Sequence, residues 1–111
     1  MTDHLVELAQ LDDTQRASDY LQKALALRPA YPEALNNLGV LCMRTHRHDE
    51  AERSFKESIR VAPAFEQSYL NLARVYAIDG DTQKARMVLL ELLKQHPGHV
   101  QAEKELAHLP Q

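Results

Sequence analysis

Tryptophan is absent from the 111 residues, phenylalanine occurs twice, glycine three times and cysteine once. A lone Cys42 closes no internal disulfide, so the fold must hold by packing, with Cys42 expected as a small buried apolar residue. The sequence has no glycine-rich loop to cradle a phosphate, no H-E-x-x-H and no serine on a nucleophile elbow. No catalytic site is therefore expected, and no cofactor. Apolar runs stop well short of the roughly 20 residues that cross a bilayer. The opening MTDHLVELAQ has neither the basic start nor the long hydrophobic segment of a secretory signal. A cytoplasmic location and no membrane partner are the expectations. Neither sign of charge dominates: 13 Lys and Arg against 16 Asp and Glu leave a formal charge of −3. Such a surface has no general attraction to phosphate backbones, which argues against nucleic acid. Six histidines raise the question of a metal. A structural zinc site needs four converging ligands, whereas His46 and His48 share a turn and His96 and His99 flank a Pro-Gly break, so no metal is expected.

What is present is helical periodicity. Apolar residues make up 44% of the chain and charged residues 26%, the composition of an ordinary folded protein. A short helix is expected over 2–10, carrying Leu5 and Leu8, with Asp12 and Asp13 as a cap for the next. From about Thr14 to Leu27, Ala17, Leu21, Ala24, Leu25 and Leu27 form a helical face closed by Arg28-Pro29. Further helices are expected from about Glu33 to Arg44 and from about Asp49 to Val61, with Thr45 to His48 as the turn. Tyr69, Leu72, Ala73 and Tyr76 mark another, which ends at Asp79-Gly80-Asp81. Its partner runs from about Thr82 to Gln95, and a more polar helix over His99 to His108 closes the chain before Pro110.

Shifting the frame by 34 residues superimposes these segments. Pro29, Pro63 and Pro97 cut the chain at one place in each unit, and Ala17, Ala51 and Ala85 are small where two helices should cross closely. Gly39, Ala73 and Ala107 do the same on the opening helices, and Leu38, Leu72 and Leu106 fill the space between. Four columns in one register describe a repeat array whose core is built by stacking neighbours. One domain over 1–111 is expected: a first unit over about 1–31 with a degenerate opening helix, units over about 32–65 and 66–99, and a capping helix over about 100–109.

The pattern resembles the tetratricopeptide repeat family, a 34-residue helix-turn-helix marked by W-x2-L-G-x2-Y, A-x3-F and P. The second unit matches at Leu38-Gly39, Ala51, Phe55 and Pro63, with Leu35 and Cys42 at the tryptophan and tyrosine places. The third matches at Leu72, Tyr76, Gly80, Ala85 and Pro97, with Tyr69 at the tryptophan place and Ala73 and Leu89 for glycine and phenylalanine. The first keeps Ala17, Leu21, Ala24 and Pro29 but has His4-Leu5 for Leu-Gly. The resemblance implies an all-α solenoid, a right-handed superhelix whose opening helices line a concave groove that binds peptides or other proteins.

In that groove the residues turned away from each unit's second helix are Asp3 and Val6; Asn36, Asn37, Val40, Met43 and Arg44; Leu70, Asn71, Arg74, Ala77 and Ile78; and Lys104, Glu105 and His108. Asn37 and Asn71, one period apart, can donate to and accept from an extended peptide backbone, or are simply asparagines beside a leucine. Met43, Ile78, Arg44 and Arg74 suit an apolar segment carrying acidic residues, whereas Val40 and Leu70 can instead be covered by the next unit. The carboxylate clamp by which some family members hold a chaperone's C-terminus needs two lysines, an arginine and two asparagines. Here Thr2, Val6, Gln67 and Asn71 stand at four of the five places, so that ligand is not expected. Two readings remain: a non-enzymatic module that holds a peptide or helix of a partner protein, or a structural scaffold that associates with itself, as a homodimer or as a spacer in a larger protein.

Overall fold

The computed structural model describes the backbone of residues 2–110 and the side chains of residues 13–110. Among the described residues six helices follow one another: α1 Thr2–Leu27, α2 Pro32–Arg44, α3 His48–Val61, α4 Glu66–Ile78, α5 Thr82–Gln95 and α6 Val100–His108. Each helix from α2 onward packs on its chain neighbour, and α2 also touches α4. The result is a thin two-layer stack, 45 × 37 × 22 Å. α2, α4 and α6 are opening helices; α3 and α5 back the first two of them.

Short side chains fix the close crossings. Ala51 and Ala85 are wholly buried. A Cβ on Gly39 would lie 2.5 Å from Phe55 Cε1, so the ring of Phe55 seats directly on the α2 backbone. The two turns are built alike. His46 (φ 60°) and Gly80 (φ 79°) take the left-handed conformation, and Arg47 and Asp81 donate backbone N–H groups back to Cys42 and Tyr76, each over 2.8 Å. These are the six-to-one bonds that close a helix C-terminus. Tyr31 and Phe65 precede α2 and α4 in extended backbone. Asp49 and Glu50 sit in the positive first turn of α3.

The first unit departs from the expected hairpin. Where a break at Asp12-Asp13 is expected, the backbone runs on as a single 26-residue helix. Two sequence features account for this. Residues 2–28 contain neither glycine nor proline. In addition, Leu5 stands where Gly39 and Ala73 allow their partner helices in, which removes the close crossing that would hold a hairpin shut. The column of small residues fails at the same place: Ala17, in register with Ala51 and Ala85, is exposed. Leu21 is nonetheless buried against Ala34 and Leu41 of α2. The side chains of Asp3, Leu5, Val6, Leu8 and Asp12, to which the sequence assigns groove, packing or capping places, lie outside the described residues.

Candidate inner-face binding site

The opening helices α2 and α4 are joined beneath their outer surface by a buried polar relay. Ser58 on α3 lies 3.0 Å from the Pro32 carbonyl and 2.6 Å from the Ser68 hydroxyl. Ser68 Oγ in turn lies 3.1 Å from Asn36 Oδ1, which accepts a further bond of 3.0 Å from Asn71 Nδ2. Two hydroxyl protons serve three oxygen–oxygen contacts, so proton order runs either toward Pro32 or toward Asn36. Ser58 and Ser68 are fully buried and Asn36 nearly so. The relay sets the spacing of the two opening helices and holds the Asn71 side chain in place.

Of the residues expected to form the groove, Asn37, Arg44, Arg74 and Lys104 are exposed, and Ile78 is 59% exposed. Asn71 is half-buried with one amide N–H committed to Asn36. Asn36 faces inward to the relay, and Met43 is half-buried against the core formed by Phe55, Val75 and Tyr76. Val40 packs on the same core, while Leu70 is buried among Tyr69, Ala73 and Leu89. Arg74 reaches forward to Glu105 on α6 at 3.6 Å. Glu105 also accepts a 2.9 Å bond from Gln101. Asn37 and Asn71, and likewise Arg44 and Ile78, stand one period apart on successive opening helices.

Charge on the opposite side is structural. Glu52 accepts from the buried Tyr76 hydroxyl over 2.9 Å and pairs with Lys56 at 2.9 Å. The Lys56 bond, reinforced by Tyr76, holds the Glu52 carboxyl below the usual carboxylate range, against a smaller opposing effect of burial. Burial first, then the bond to Glu52, pushes the Tyr76 phenol up. Glu52 therefore ties α3 to α4. Burial likewise raises the Cys42 thiol, which favours the unreactive protonated form. His48, expected as a turn or cap residue, links α3 to the end of α4 through Asp79 at 2.7 Å. His99 caps α6 by accepting the Ala102 N–H, while its other ring nitrogen meets Glu66 at 2.7 Å. His96 Nε2 lies 3.5 Å from the other oxygen of that carboxylate. Among the described residues no group of three or more His, Cys, Asp or Glu side chains is arranged to hold a metal, and no helix is long and apolar enough to cross a membrane.

Two features escaped the sequence reading. The relay is hidden in the sequence because Asn36 reads as a groove residue and Ser58 as one more position on a packing stripe, although their counterparts 34 positions later, Leu70 and Leu92, and that of Ser68, Ala102, are all buried. The second is a cleft of about 310 Å³ between α1 and α2, lined by Ala17, Tyr20, Leu21, Asn37, Val40, Leu41 and Arg44. Its signal was the missing Leu-Gly of the first unit.

Paired helices, close crossings at Gly39, Ala51 and Ala85, and matched turns at His46 and Gly80 define a tetratricopeptide-like helical repeat. Within that class the chain belongs to the family of the middle TPR-like domain of cilia and flagella-associated protein 70, whose model matches residues 6–109. Over 64 residues, 58% of the chain, it is 36% identical to human protein O-mannosyl-transferase TMTC3 and 38% identical to Drosophila melanogaster Tmtc3. Those matches span 7% of each relative. Among solved structures, MamA superposes with a TM-score of 0.72 at 26% identity over 88% of this chain and 53% of its own. The second TPR domain of human RPAP3, in complex with the HSP70 peptide SGPTIEEVD, gives 0.76 at 18% identity over 96% of this chain and 88% of its own. The first TPR of Spaghetti (RPAP3), bound to the HSP90 peptide SRMEEVD, gives 0.77 at 16% over 91% and 80%. A fold of this kind is in general a protein-interaction module that performs no catalysis of its own.

Proposed function

We propose that this chain is a non-enzymatic module that holds a short segment of a partner protein along the face made by α2 and α4, with Lys104 of α6 at its far end. The observation that carries the reading is the exposed strip at one-period spacing. Asn37 and Asn71 offer amide groups to a peptide backbone, Ile78 offers an uncovered apolar side chain, and Arg44 and Arg74 supply positive charge beside it. The preferred occupant is an apolar peptide or helix bearing acidic residues. The peptides held by the two RPAP3 structures support the size and charge of such a ligand. A free C-terminal carboxylate is disfavoured, because the cationic set of the clamp is lacking.

Selection from a phage-displayed random peptide library tests the reading. Enriched sequences should combine apolar and acidic residues. Their affinity should fall about 10-fold or more with Ile78→Asp or Arg44→Glu, changes at exposed positions that leave the fold intact. An unenriched library, or peptides that bind both variants equally, would discard the site. Asn37→Ala is the clean asparagine test. Asn71→Ala also removes a bond to the buried Asn36, so it should lower stability as well as binding.

A further inference from the structure

We infer that the cleft between α1 and α2 is filled by residues 2–11 of a second copy of this chain, in a reciprocal dimer built on paired α1 helices. At the next interface along the stack, the space over Ala51 and Phe55 is filled by Val40, Cys42 and Met43 of the opening helix α2. One period earlier, Ala17 and Leu21 occupy the places of Ala51 and Phe55, and Val6, Leu8 and Ala9 those of Val40, Cys42 and Met43. The chain thus encodes a filler for this cleft, and Ala17, whose counterparts are wholly buried, is left exposed. That filler cannot act in its own copy. Residues 2–11 and residues 17–21 belong to one continuous helix, and a helix does not pack on itself.

Two copies resolve this. If their α1 helices lie side by side and antiparallel, the first half of each covers the second half of the other. The contact is then isologous and closes after two subunits, as in an exchange of identical elements between protomers. The continuous helix is the open form of a hairpin whose turn, at Leu11-Asp12-Asp13, stands in register with Asp79-Gly80-Asp81 but lacks its glycine. The cleft shares Asn37 and Arg44 with the inner-face strip, so the test uses Leu8, Leu11, Asp12 and Ala17, which lie outside that strip. Peptide selection is scored separately on the monomeric variant, where the two readings can fail independently.

Light scattering on the full chain should give twice 12.7 kDa at high micromolar concentration. Leu8→Glu and Ala17→Glu should each raise the dissociation constant at least 100-fold at unchanged helicity. The double change Leu11→Asp/Asp12→Gly, which copies the working turn, should give a closed monomer that melts no lower than the parent. In a sample mixed from isotope-labelled and unlabelled protein, methyl contacts between Val6 or Leu8 and Ala17 or Leu41 should be intermolecular. A monomer at every concentration overturns the inference, as does a dimer that survives both charges and the grafted turn. Methyl contacts found only within one chain overturn it equally.

Discussion

The second and third of the inter-unit interfaces, α3 on α4 and α5 on α6, occupy the same register and are made of opposite materials. Between the second and third units, Asn36, Ser58 and Ser68 form a buried polar relay; between the third unit and α6 the same places hold Leu70, Leu92 and Ala102, all buried and apolar. A similar exchange occurs inside the units, where Gly39 faces Phe55 and Ala73 packs in one cluster with Leu89. One backbone arrangement therefore tolerates either material, provided that volume and hydrogen bonding are each satisfied locally. The polar version adds geometry: the relay holds Asn71 on the opening helix, whereas an apolar contact constrains no particular amide.

The size exchange gives the largest expected effect. Gly39→Ala places a methyl group 2.5 Å from a fully buried ring and should destabilise by about 2 kcal/mol, overpacking outweighing the ~1 kcal/mol of helix propensity gained. Combining it with Phe55→Leu reproduces the Ala73–Leu89 pair and should recover most of that loss. Urea unfolding of the four members of the cycle measures the coupling. Strict additivity would show that the two sites do not share the volume.

The relay comes next. Ser58→Ala alone leaves buried oxygens short of a partner and should cost about 1–2 kcal/mol. Converting the whole set to its downstream counterpart, Asn36→Leu/Ser58→Leu/Ser68→Ala, removes the polar demand together with the supply and should fall within about 1 kcal/mol of the parent. If the triple variant loses more than the single, the relay stabilises beyond what its apolar replacement can supply. The triple variant should also release Asn71, weakening selected peptides more than it weakens the fold.

The 34-residue columns made the stack legible, because prolines, small residues and leucines recur where geometry leaves one choice. Helices α2, α3, α5 and α6 begin and end within about two residues of where caps and apolar stripes put them, and α4 ends at its expected turn. The first unit was misdrawn for a reason that is itself physical: a cap residue such as Asp12 permits a break but does not enforce one, and nothing in 2–28 opposes helix. Among the groove residues, the exposure of Arg44, Arg74 and Ile78 agrees with a stripe argument. The inward turn of Asn36 does not follow from any stripe, since its partners Ser68 and Asn71 lie 32 and 35 positions away and only the folded stack brings them together.

The smallest expected effect separates the outer face from the relay by its pH dependence. The relay contains no ionisable group, so its contribution should be flat with pH. Glu52 is different: its folded-state carboxyl titrates below the unfolded value because the ionised form accepts bonds from Lys56 and Tyr76. A depressed carboxyl adds stability that is fully present above the unfolded value of about 4.3 and is lost as pH falls through the folded one. Glu52→Gln should therefore lower the urea midpoint at neutral pH, and the gap between variant and parent should close as the solution is acidified below about 4. Ser58→Ala should keep a constant gap over the same range. A Glu52→Gln gap that persists in acid would mean that the side chain joins α3 to α4 by shape and neutral hydrogen bonding, and that Lys56 contributes nothing through charge.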